Sequence, residues 1–142
     1  MNAKPDCIFC SIIAGTAPAD RIYEDDRTLI FMDLFPAQPW HSLIIPKLHG
    51  ENLFEVEPHD LQAVVMHSKT LAEAMRRVFD PDGISVVQLN GEAAGQAVFH
   101  YHMHLIPRTH GTPWGVHGKK QGDAQTLADQ AAQLAEAFNA LS

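Results

Sequence analysis

The stretch Phe99-His100-Tyr101-His102-Met103-His104-Leu105-Ile106 alternates imidazole with apolar side chains, and no other part of the chain constrains its fold so tightly. A β-strand points successive side chains to opposite faces. As a strand, this stretch places His100, His102 and His104 on one face and Phe99, Tyr101, Met103 and Leu105 on a buried one. A single histidine in a strand is ordinarily a hydrogen-bonded core or surface residue. Three in alternation each need a polar partner if buried, which argues for a chemical site built on a rigid element. Neighbouring histidines would stand about 6.6 Å apart and the outer pair about 13 Å apart. Two could share a metal ion and three could not, which leaves at least one imidazole for nucleophilic or acid–base work.

At 142 residues the chain is long enough for one domain with a substantial core. A formal charge of −7 and the lack of a basic block argue against general affinity for nucleic acid or anionic membranes. The polar start Met1-Asn2-Ala3-Lys4-Pro5-Asp6 has no apolar run of the signal-sequence kind, and no stretch reaches membrane-spanning length. A cytoplasmic protein is expected. The two cysteines form Cys7-Ile8-Phe9-Cys10, a spacing that in a cytosolic setting points to metal ligation or redox chemistry more than to a disulfide. Metal binding would need two more ligands from elsewhere in this histidine-rich chain.

The pattern along the chain predicts a helix over 7–14 that ends at Gly15, and strands over 21–24, 28–33 and 41–46. Apolar residues recur at helical spacing from Pro58 to Phe79, and Asp80-Pro81-Asp82-Gly83 stops that helix. A strand over 84–89 and a small-residue loop, 90–96, lead into the histidine stretch. Residues 108–122 read as irregular, with His110 and His117 assigned loop roles in preference to lining a pocket mouth, and Trp114 either a cover for substrate or a subunit contact. Leu127 to Leu141 read as a final amphipathic helix, while His59 and His67 read as solvated surface. The sum is a single α+β domain over 1–142 with a mostly antiparallel sheet, one long helix packed on it and short helices at both ends.

A neutral imidazole is a competent nucleophile and proton carrier. One histidine attacking phosphorus while a neighbour helps the leaving group depart would use such a row well. Gly91 and Gly95 permit close backbone approach to a phosphate, and Gln96 offers an amide. Gly95-Gln96-Ala97-Val98-Phe99-His100-Tyr101-His102-Met103-His104-Leu105-Ile106 resembles the signature of the histidine triad family of nucleotide hydrolases and transferases. Upstream, Cys7-Ile8-Phe9-Cys10, Phe31-Met32-Asp33, Pro36 and His41-Ser42-Leu43-Ile44-Ile45-Pro46-Lys47 with His49 resemble its Hint-like branch and bacterial relatives.

The resemblance implies a five-stranded sheet continued across a homodimer, with Met75 and Val78 as subunit contacts or core. It implies His102 as the nucleophile that forms a nucleotidyl-histidine, and His104 as the contact to the α-phosphate and leaving group. His100 would support the geometry of the others, and His41 would orient the nucleophile. Asp33 would bind the ribose hydroxyls, Phe31 and Leu34 would wall the base, and Asn90 and Gln96 would lie near the phosphate. Ala97 stands where the family usually carries Ser or Thr, which puts turnover rate and leaving-group preference in question. Relatives with the same cysteine pair carry structural zinc, which implies Cys7, Cys10, His49 and His100 as ligands and no catalytic cofactor. The implied activity is hydrolysis of purine nucleoside phosphoramidates or related conjugates to AMP or GMP. The alternatives are dinucleoside polyphosphate hydrolysis, a nucleotide-binding regulatory module with little activity, and a purely metal-binding protein.

Overall fold

Two segments with apolar side chains on both faces, Thr28–Met32 (β2) and Ser42–Pro46 (β3), are buried at every position and form the middle of one sheet. The computed structural model describes residues 3–142, so Met1 and Asn2 of the polar N-terminal stretch lie outside it. Around this pair the chain adds α1 (Ile8–Ala14), β1 (Arg21–Glu24), α2 (Pro58–Phe79), β4 (Gly83–Gln88), β5 (Met103–Arg108) and α3 (Ala124–Leu141). The order is β1-β2-β3-β5-β4, with every neighbouring pair antiparallel. The architecture is the expected α+β one. The C-terminal helix is not short, however: α3 runs 18 residues and packs on both α2 and the sheet.

Alternation divides the strand side chains between two cores. Ile22, Ile30, Met32, Ile44, Met103 and Leu105 face α2 and α3, where Val64, Leu71, Met75, Leu134 and Phe138 meet them. Leu29, Phe31, Leu43 and Ile45 face the other way, onto Phe9, Cys10 and Ile12 of α1. Met75 is fully buried and Val78 packs against the same core, so neither is presented outward. The exposed apolar residues of α2 are Val65 and Met66. His67 is not simply solvated: its Nε2 lies 2.9 Å from Asp25 Oδ2, which ties α2 to the β1–β2 turn.

The histidine stretch departs from a continuous strand. Pairing to β3 and β4 reaches back only to Met103, and Tyr101 instead donates its N–H to the Gly50 carbonyl at 2.8 Å. On the β4 side the ladder ends because Gln88, opposite Met103, is the last residue of that strand, and on the β3 side the last pair is Ile44 with Met103. His100 and His102 therefore sit on extended backbone just ahead of β5, and only His104 is on the strand. Tyr101, Met103 and Leu105 form the buried apolar row as expected, whereas Phe99 is 42% exposed and lies outside it.

Candidate active site

His41, His100, His102 and His104 are all buried, and each ring has at least one nitrogen whose proton is assigned by its neighbour. The Ala37 N–H donates to His41 Nδ1 at 2.9 Å, so the proton of a neutral His41 sits on Nε2. His41 Nε2 lies 2.9 Å from His104 Nδ1, which must then accept, and His104 carries its own proton on Nε2. That nitrogen is buried and has no partner among the described residues. His102 donates from Nδ1 to the His100 carbonyl at 2.7 Å, which leaves its Nε2 as a lone pair. The rings of His102 and His104 are 4.9 Å apart between centroids. One nucleophilic nitrogen and one N–H donor are thus set side by side by a chain of hydrogen bonds that begins at a backbone amide. His41 orients His104 directly, not His102 as the resemblance implies.

Burial keeps this row neutral, since an imidazolium is costly away from water. It pushes His41 down to about 3, with the Arg108, His117 and His102 charges acting the same way. His104 is held far below its ordinary value by burial and its histidine neighbours. His102 is lowered by burial, against the raising effect of the His100 carbonyl. Asp33 Oδ2 lies 3.3 Å from His41 Nε2. With His41 neutral and its Nε2–H directed to His104 Nδ1, this contact is not an ion pair. Burial raises the Asp33 carboxyl to about 6, against the lowering pull of the Phe35 N–H and the His117 charge. Asp33, His41 and His104 also cluster closely enough to hold a cation. The proton on His41 Nε2 makes them a relay and not a ligand set.

His102 and His104 open into a cavity of about 560 Å³ between α1, β2 and the segment after β5. Phe31, Asp33, Leu34 and Ala97 line it as expected, together with Phe9, Ile12 and Leu43. Asn90 and Gln96 do not. Asn90 accepts from the Leu53 N–H and exchanges amide bonds with Gln88. Gln96 is committed to the Gly91 N–H and to the carbonyls of Glu51 and Val98, so its amide shapes the loop. Three wall residues, His117, Gly118 and Gln121, come from the irregular 109–123 segment; of these the sequence offered only His117, as the less favoured of two readings. That segment is strapped down by Gly118 N–H to Phe35 O and Gly122 N–H to Leu34 O, at 3.2 and 2.8 Å. Trp114 does not cover the cavity: it is 71% exposed and stacks on the Arg108 guanidinium at 4.6 Å.

His100 faces away from the cavity. Its Nε2 donates to the Pro46 carbonyl at 2.7 Å, leaving Nδ1 as a lone pair 3.4 Å from Cys7 Sγ and 3.6 Å from Cys10 Sγ. His49 Nδ1 lies 3.2 Å from His100 Nδ1 and 3.4 Å from Cys10 Sγ. Four soft or borderline donor atoms converge within 4.8 Å of one another, the donor set and count of a closed tetrahedral site. Cys7 also serves as the N-cap of α1, accepting the Cys10 N–H at 3.3 Å.

An antiparallel sheet with a buried histidine row at the floor of an apolar pocket, ended by a lone carboxylate, is the build of the histidine triad superfamily of nucleotide-binding and nucleotide-hydrolysing proteins. The chain belongs to the HIT family: the model described as the HIT domain matches residues 14–111. It is 39% identical over 140 residues to "Protein hit" of Bacillus subtilis, covering 94% of this chain and 97% of that one. To the adenylylsulfatase HINT3 of Arabidopsis thaliana it is 42% identical over 103 residues, which is 72% of this chain and 52% of that protein. A crystal structure of a Zn-bound histidine triad family protein from Mycobacterium smegmatis superposes with a TM-score of 0.83 at 33% identity, over 96% of this chain and 95% of that one. Among the described residues no helix is long and apolar enough to cross a membrane.

Proposed function

We propose that this protein hydrolyses purine nucleoside monophosphate conjugates, phosphoramidates above all, through a nucleotidyl intermediate on His102. The observation that carries this reading is the pairing of a lone-pair nitrogen, His102 Nε2, with an unpartnered N–H, His104 Nε2, at the floor of the cavity. The base lies between Phe9, Phe31 and Leu34, and Asp33 accepts from the ribose hydroxyls. The phosphate's negative charge raises the proton affinity of the His41–His104 pair, which takes up one proton from solvent. His102 Nε2 attacks the α-phosphorus and forms an N–P bond. The bond from phosphorus to the amine breaks, its electron pair stays on the departing nitrogen, and the extra proton of the pair goes to that nitrogen. Water then attacks the same phosphorus and returns its proton to the pair. The N–P bond to His102 breaks, the pair of electrons goes back to Nε2, and the monophosphate is released.

Release of AMP from a fluorogenic adenosine phosphoramidate tests the reading. His102→Ala should lose at least about 10³-fold in kcat while still binding AMP. Equal turnover by both proteins would remove His102 from the chemistry. The name of the Arabidopsis relative supports a second substrate, adenylyl sulfate, in which sulfate replaces the amine as leaving group. Turnover of dinucleoside polyphosphates, or AMP binding with no turnover of any conjugate, would redirect the assignment.

The converging donors support a structural zinc held by Cys7, Cys10, His49 and His100, where the metal would fix α1 to the sheet and supply no step of the reaction. The edge strand β4, with Val86 exposed on it, supports a homodimer that continues the sheet.

A further inference from the structure

A nucleoside monophosphate brings negative charge into a cavity that is poor in positive charge. Among the described residues, no lysine or arginine lines the wall, while two carboxylates, Asp20 and Asp33, do. His102 and His104 line it as buried neutral rings, and His41, behind His104, is kept neutral in the same way. A phosphate in such a site has one good N–H donor, His104 Nε2, and no fixed cation. Desolvating an anion without a counter-charge is unfavourable, and charge-assisted hydrogen bonds are the usual remedy.

His117 is the exception on that wall. It is an exposed residue, yet its ring reaches within 5.8 Å of the His104 ring, centroid to centroid, at an interplanar angle of 78°. Its Nε2–H donates to the Gly95 carbonyl at 2.7 Å, two residues ahead of Ala97, whose methyl offers no polar atom to the cavity. That bond occupies Nε2 and fixes the ring, which leaves Nδ1 as its other polar atom. The backbone holds the ring in place from the other side: Gly118 bonds to the Phe35 carbonyl, and a Cβ at 118 would meet the Pro36 carbonyl oxygen at 2.2 Å. Asp33, His41, His102 and His104 all lie within the electrostatic reach of His117.

We propose that His117 contacts the substrate phosphate and, carrying a proton on Nδ1, supplies a second positive charge beside the proton that the His41–His104 pair takes up. The inference rests on the reading of this cavity as a nucleotide site and adds to it a residue from the strap, outside the matched 14–111. The group it recognises is the anionic phosphoryl oxygen next to the ribose, so it acts on nucleotides and not on nucleosides.

Calorimetric titration with adenosine and with adenosine 5′-methylphosphate, whose single negative charge does not titrate near neutrality, separates the two contributions. Wild type should bind the methylphosphate more tightly than adenosine. His117→Gln should lose about ten- to a hundredfold in affinity for the methylphosphate and little for adenosine. His117→Lys should restore most of that loss, because a positive charge and not an imidazole is what the anion needs. Unchanged affinity in His117→Gln overturns the proposal. So does a variant that weakens both ligands alike, which would show a packing role for the strap, or a Lys variant as weak as the Gln one. If the wild type binds neither ligand, the nucleotide reading of the cavity falls as well.

Discussion

The cysteine–histidine cluster and the cavity lie at opposite ends of one histidine row, and they differ in what their hydrogen bonds leave over. At the His100 end the ring is pinned to Pro46 through Nε2, and every remaining lone pair points inward at three other donors. Such an end has no further valence for a substrate and serves to hold elements together. At the His104 end the chain of bonds from Ala37 terminates in an N–H with no partner among the described residues, next to a nitrogen lone pair. The His100 backbone joins the two ends, since its carbonyl fixes the tautomer of His102. The same residue type is made structural at one position and reactive two positions later by which nitrogen its neighbour occupies.

Breaking the closed end should have the largest effect on stability. Cys10→Ser is expected to lose bound zinc and more than about 4 kcal/mol of stability, read by metal analysis and thermal unfolding. Retention of full stability without zinc would erase the distinction between the ends. At the reactive end, His41→Asn should lower kcat about a hundredfold with little change in KM, because it disorders the donor on His104 without touching the base pocket. A drop in affinity instead would make His41 part of the binding wall.

Asp33→Asn should affect stability and binding in opposite directions. The folded carboxyl sits near 6, above its unfolded value of 3.8, so its contribution to stability is present at low pH and is lost as pH rises through 6. Removing the charge should therefore stabilise the ligand-free protein by on the order of 2 kcal/mol at pH 7.5 and hardly at all at pH 4, while ribonucleotide affinity falls. Melting curves at the two pH values, with AMP titrations alongside, check both signs. His41 behaves in the reverse sense: its value of about 3 means that stability is lost as pH falls from the ordinary imidazole value toward 3. The smallest effect is expected from Ala97→Ser, a change on the cavity wall that should alter turnover less than about tenfold, and unequally between leaving groups. Identical rates on every conjugate would remove residue 97 from leaving-group recognition.

The reactive end was legible in the sequence where chemistry travels with periodicity. The alternation of His100, His102 and His104 with apolar residues held through the start of β5, although the first two lie on extended backbone ahead of the strand. The Cys7–Cys10 pair joins His49 and His100 in one cluster, and Asp33, Phe31 and Leu34 line the cavity. What stayed hidden was carried by backbone atoms or by irregular chain. Nothing in a sequence marks the His100 carbonyl as the group that orients His102. His117 follows a segment without periodicity, whose path is set by contacts of Gly118 and Gly122 with the Leu34–Pro36 turn. The resemblance put Asn90 and Gln96 near the phosphate, but each amide is taken up by neighbours in its own segment and by the backbone of Glu51 or Leu53.

The helix α1 belongs to both ends at once. Its seven residues carry Cys10 and follow directly on Cys7, and its Phe9 ring stands edge-on to Phe31 at 5.4 Å, to His100 at 5.8 Å and to His102 at 5.2 Å. A party wall of this kind cannot shift on one side only. If zinc is held there as proposed, removing it with a chelator should loosen the side of the chamber proposed for the purine, and so present itself kinetically as weakened substrate capture ahead of any slowing of the bond-breaking step.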